Sequence, residues 1–94
     1  MRFEWDDAKA ALNLAKHNVS FREAAVVFGD PRALYREDQA HSKEERRRHV
    51  MGRSERGILA VAYTLRGDNI RLISVRFASR QERRLYAAVQ KEKD

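Results

Sequence analysis

The sequence predicts an α+β fold: two N-terminal helices packed on an antiparallel β-sheet of about four strands, followed by a C-terminal helix. Three observations predict it. The first third carries two helix-capping signals, residues 58–77 hold two β-prone apolar runs parted by a tight turn, and a Ser-x-x-Glu box opens the last stretch. Helices and strands that are segregated along the chain, rather than alternating, indicate α+β layering.

Phe3-Glu4-Trp5 alternates apolar and polar and reads as a short first strand. Asp6 suits the N-cap of a helix over residues 8–17, with Asp7 favourable near its positive end. Ala8, Ala11, Leu12 and Ala15 form its expected apolar stripe. Lys16 and His17 fall in the last turn, where positive charge is favoured, and Asn18 suits a left-handed cap. Ser20 and Glu23 make a second capping box, with Val19 and Ala24 as its hydrophobic staple. Phe21, Ala24, Ala25 and Phe28 give this helix a buried face, and Gly29-Asp30-Pro31 ends it.

The period changes at Ala33. Residues 33–36 read as a weak strand and 38–44 as a polar loop. Residues 47–53 fit a strand better than a helix, because Gly52 and the Ser54-Glu55-Arg56-Gly57 turn follow. Residues 58–65 are continuously apolar enough to be central, and Gly67-Asp68-Asn69 turns the chain into a strand over 70–77. On that strand Arg71, Ile73, Val75 and Phe77 share one face and Ile70, Leu72, Ser74 and Arg76 the other. The first set is expected to face the core, with Arg76 opposite. Ser79 and Glu82 then open a helix bearing Arg80, Arg83, Arg84 and Tyr86.

Ninety-four residues make one domain, 1–94, with room for one core. The chain has no cysteine, which excludes disulfides and thiolate metal sites. It has no signal-like start and no membrane-length apolar run, so a cytoplasmic protein without membrane contact is expected. His17, His41 and His49 match no ligand spacing; no metal or other cofactor is expected. Residues 1–40 hold 6 Lys/Arg against 7 Asp/Glu, and residues 41–94 hold 14 against 7. Of the 20 basic residues 15 are arginine, the side chain best matched to bidentate recognition of phosphate or carboxylate. A basic second half indicates nucleic acid or an acidic protein partner, although a solvated arginine-rich surface reads the same way.

A set of fragments then recurs in order: Phe3-x-Trp5-Asp6, Lys9, Asn13, Lys16-His17, Phe21-x-x-Ala24, Phe28-x-Asp30, Glu45-x-Arg47, Gly52, Arg71-x-Ile73-Ser74-x-Arg76-x-Ala78, and Glu82 with Tyr86. Each is weak alone. Together, from Phe3 to Tyr86, they resemble the BrnT family, toxins of type II toxin–antitoxin pairs with a RelE-like ribonuclease fold. Asn18 stands where that family has glycine, Val75 where it has alanine, and Arg48-His49 where it tends to be more apolar. The resemblance implies a metal-independent RNA endonuclease that arrests translation and growth. It also implies neutralisation by a BrnA-type antitoxin, through whose DNA-binding domain the pair would repress its own operon.

Cutting RNA without a metal needs a base for the 2′-hydroxyl proton, an acid for the leaving oxygen, and cations around phosphorus. Arg76 and Arg47 are the candidates for the cationic role; the plainer alternatives are a salt bridge from Arg76 to Glu82 and a solvated strand face for Arg47. His41 and Glu45 are the proton-transfer candidates, sharing a face only if their segment is helical. Tyr86 either stacks on a base or orients a phosphate, the plainer alternative being that it packs on the sheet. Arg71, Arg80 and Arg83 are expected to contact the RNA backbone. His17 is expected at its helix end, and His49 facing solvent or RNA. The competing reading is a non-catalytic basic module that grips an acidic protein or nucleic acid.

Overall fold

Each N-terminal helix begins where a side chain can accept the N–H groups that have no partner inside the helix. In the computed structural model, which describes residues 2–38 and 46–93, β1 is Arg2–Glu4, α1 Asp7–His17 and α2 Phe21–Val27. Asp6 Oδ1 accepts from Lys9 N at 3.0 Å to start α1. Ser20 and Glu23 exchange two hydrogen bonds of 3.0 and 3.1 Å to start α2, as their spacing predicts. Asn18 closes α1 at φ 58°, left-handed backbone that asparagine tolerates better than most residues.

Four strands and a helix follow: β2 Leu34–Asp38, β3 Arg47–Ser54, β4 Gly57–Arg66, β5 Asn69–Phe77 and α3 Arg80–Lys93. The sheet has five strands in the order β1-β5-β4-β3-β2. All neighbours are antiparallel except β1, which lies parallel to β5 from Arg2↔Asn69 to Glu4↔Arg71. The sheet is therefore mixed, one strand wider than the expected antiparallel sheet of about four.

Two expectations about side-chain direction fail, each for a physical reason. Ala8, Ala11, Leu12 and Ala15 do not form the buried stripe of α1; all four are exposed. The face turned to the sheet carries Ala10, Asn13 and His17, and Asn13 is buried. Short β1 stops at Arg71, leaving Val75 of β5 without a strand neighbour on that side. Asn13 takes that place: Val75 N donates to its Oδ1 at 3.0 Å, and its Nδ2 donates to Val75 O at 2.9 Å and Val19 O at 3.2 Å. An amide does here what an apolar side chain cannot, satisfying both backbone groups of one residue.

The second failure lies in β5. Ala62 pairs with Ser74 and Tyr63 with Leu72, so Ile73 is an extra, bulged residue. The bulge flips the phase, and Ile70, Leu72 and Val75 all face the N-terminal helices. Of the four residues expected in the core only Val75 is there; Arg71 and Ile73 face elsewhere, and Phe77 is at the exposed limit. Arg76 does stand on the opposite face.

The main core joins Val19, Phe21, Ala24 and Val27 to Val50, Leu59, Val61, Tyr63, Ile70, Leu72 and Val75. A smaller cluster of Met51, Ala78 and Tyr86, with Leu34 and Ile58, seats α3 on the other face. Gly52 lets β3 approach α2: a Cβ there would meet Val27 Cγ1 at 2.7 Å. Among the described residues no helix is long and apolar enough to cross a membrane.

Candidate functional site

The face of the sheet turned away from α1 and α2 is only partly covered. Alternation along the ladder places Arg36 and Asp38 of β2, Arg47 and His49 of β3, and Ser74 and Arg76 of β5 on it. The two alanines of β4 between them, Ala60 and Ala62, keep its middle low. Where α3 leans over this surface a cleft of about 220 Å³ opens, with Arg36, His49, Met51 and Ala60 from the strands and Glu82 and Leu85 from the helix.

His49 is half-buried there, its Nε2 2.7 Å from Asp38 Oδ2. The Asp38 side chain is only 12 % exposed. The contact runs diagonally across the β2–β3 ladder, since Asp38 pairs in register with Arg47 and His49 with Arg36. A carboxylate in this position orients the imidazole. With Nε2–H donating to Asp38, Nδ1 holds the lone pair that can take a proton. Arg36 and Arg47 flank the pair, and Arg47 and Asp38 both have further polar partners.

Arg76 is fixed by Glu82. Its NH1 and NH2 donate to the two carboxylate oxygens at 2.6 and 3.1 Å, and NH1 also reaches Phe77 O at 3.3 Å. Three of the five guanidinium hydrogens are thereby used, leaving two for another acceptor. Glu82 also accepts from Ser79 N at 2.8 Å and so closes the α3 capping box. The Arg76 hydrogen bonds, chiefly, hold the Glu82 carboxyl down at about 2. The salt bridge weighed as the plainer role for Arg76 is present, and it aims the guanidinium along the open face.

The remaining candidates separate. Arg47 and Arg76 share the open face but lie four residues and two strands apart, roughly 16 Å between Cα atoms by standard sheet spacings. Tyr86 is buried, 4 % exposed, and its hydroxyl donates to Asp30 Oδ2 at 2.6 Å while the Arg53 guanidinium lies over its ring. Burial first, then this hydrogen bond, raises the Tyr86 pKa. Asp30 is pulled the other way: burial opposes its charge, but donors from Tyr86 and the Arg53 and Arg32 backbone outweigh it. Tyr86 thus pins α3 to the end of α2. Arg71 donates to Glu4 at 3.1 Å and ties β5 to β1. Arg80 and Arg83 are exposed on α3, the latter donating to Ala78 O at 3.0 Å. His41 and Glu45 lie outside the described residues. His17 is half-buried at the end of α1.

Sequence reasoning missed the His49–Asp38 pair and Arg36. The weak strand was expected to stop at residue 36, short of Asp38, and the register across the 39–46 connection has no sequence signature. The signal that was available is the alternation of polar residues in both strands.

The model of one protein family, described as the ribonuclease toxin BrnT of type II toxin–antitoxin systems, matches residues 5–82. No curated protein matches the chain.

Proposed function

This chain belongs to the BrnT family of ribonuclease toxins of type II toxin–antitoxin systems, and we propose that it cuts RNA on the open face of its sheet. Membership makes RNA its target and a protein antitoxin its partner. The family match over residues 5–82 carries the reading; the cations and the imidazole gathered on one uncovered surface support it.

In this reading a phosphodiester lies across β3 with its phosphate among Arg36, Arg47 and Arg76. The 2′-oxygen attacks the adjacent phosphorus, the bond to the 5′-oxygen breaks, that oxygen takes a proton from solvent water to leave as a 5′-hydroxyl, and a 2′,3′-cyclic phosphate remains on the other product. His49 Nδ1 takes the 2′-hydroxyl proton, and Asp38 stabilises the imidazolium that results. The arginines meet the charge that grows on the non-bridging oxygens. Glu82 holds Arg76 in place for this task. Arg71, Arg80 and Arg83 add backbone contacts at the margin. No step here calls on a metal ion. The neutralising partner is of BrnA type, it brings operator DNA to the pair, and the toxin acts in the cytoplasm.

Expression of the chain without antitoxin, beside its Arg76→Ala version, tests the reading by growth and RNA integrity. Wild type should arrest growth and degrade RNA, the folded variant neither, and purified wild type should cut RNA in EDTA. Intact RNA and normal growth with both proteins would leave a basic binding module instead. His49→Ala and His41→Ala, made side by side, show which histidine moves the proton.

A further inference from the structure

The opposite face of the sheet carries a group that the ribonuclease reading does not use. Arg48 pairs in register with Tyr63 and so points to the side of α1 and α2, away from His49 and Arg47. It is half-buried, and its Nε is shielded from solvent with no hydrogen-bond partner among the described residues. Glu37, the residue across the ladder from it, gives its carboxylate to Arg46 at 3.3 Å instead. A buried donor left unpaired is costly, so its retention calls for an acceptor from outside.

The surroundings of Arg48 fit such an acceptor. Tyr63 and Tyr35 stand on the same face on the strands to either side of β3. The Tyr63 phenol feels burial first, then Tyr35 and Arg48, which places the three polar ends in one neighbourhood. Phe28 backs them, 5.0 Å from the Tyr63 ring and 6.4 Å from that of Tyr35, and Phe3 packs behind it at 5.2 Å. Tyr35 is 55 % exposed, so the niche opens to solvent beside β2, the edge strand. One guanidinium and two phenols against an aromatic wall suit a carboxylate on a partly apolar segment.

We propose that the Arg48–Tyr35–Tyr63 niche docks an acidic side chain of the antitoxin. The proposal rests on the toxin reading above, which supplies the partner. An antitoxin is favoured over RNA because the niche and the arginines proposed to hold phosphate lie on opposite faces of the sheet. An exposed tyrosine beside a half-buried arginine, backed by aromatic rings, is also the kind of group that dominates protein interfaces. The chain's formal charge of +6 attracts an acidic partner to it.

Arg48→Met keeps the stem and removes every donor. The test measures, for wild type, Arg48→Met and Tyr35→Ala, the dissociation constant for the antitoxin encoded beside the toxin, the rate of RNA cleavage, and Tm. Arg48→Met should weaken antitoxin binding tenfold or more, leave cleavage within twofold, and melt at or above wild type, since an unpaired buried donor is gone. Tyr35→Ala should weaken binding in the same direction. Antitoxin affinity within twofold of wild type in both variants would overturn the proposal, as would a tenfold loss of cleavage, which would assign Arg48 to RNA. A wild type that forms no complex overturns the toxin reading as well; a normal wild-type complex beside unaffected variants overturns the niche alone.

Discussion

Two polar groupings, one on each face of the sheet, are bonded in opposite ways. Toward the N-terminal helices, Asn13 is buried and all three of its hydrogen bonds go to backbone atoms that would otherwise lack partners. Toward the open side, His49 with Asp38 and Arg76 with Glu82 are bonded to other side chains and retain capacity for more. A polar group used up by backbone holds a fold together. A polar group oriented by a neighbour but not exhausted by it is ready for chemistry. The comparison predicts which substitutions harm cleavage and which harm folding.

The largest effect is expected on the open face. His49→Ala should lower RNA cleavage by about 10²- to 10⁴-fold, the range for a general base, with Tm within a few degrees of wild type. Next comes Asn13→Ala, which orphans the N–H and C=O of Val75 and should cost about 3 kcal/mol in denaturant unfolding. Cleavage per folded molecule should survive it. Tyr86→Phe removes a hydrogen bond to a charged carboxylate and should cost about 2 kcal/mol, loosening α3.

The smallest effect concerns pH. Arg76 lowers the Glu82 pKa from the ordinary 4.5 to about 2, so its contribution is complete above pH 4.5 and lost as pH falls toward 2. Glu23, held at about 2 chiefly by its Arg56 hydrogen bond, loses its own share in the same window. Glu82→Gln should therefore flatten acid unfolding between those limits only in part, which a series of melts at stepped pH reads directly.

Local signals carried most of the fold. The caps at Asp6, Ser20 and Ser79, the αL asparagine and the central strand were legible because each depends on a few adjacent residues. What was not legible depends on partners far along the chain. The bulge at Ile73 is set by pairing with β4, and without it simple alternation assigns the wrong half of β5 to the core. Asn13 looks like an ordinary helix-surface residue until β1 proves too short to cover Val75. At the site, Arg76 and its pairing with Glu82 could be anticipated from a separation of six residues. The His49–Asp38 contact needed the register of a hairpin whose connection fixes no turn type.

The most direct test of the central claim is the single-turnover rate of RNA cleavage by purified wild type, His49→Ala and Asn13→Ala, each at a temperature where it is folded. The account predicts a rate lost with His49 and kept without Asn13. Equal rates in wild type and His49→Ala would remove His49 from the chemistry and contradict it.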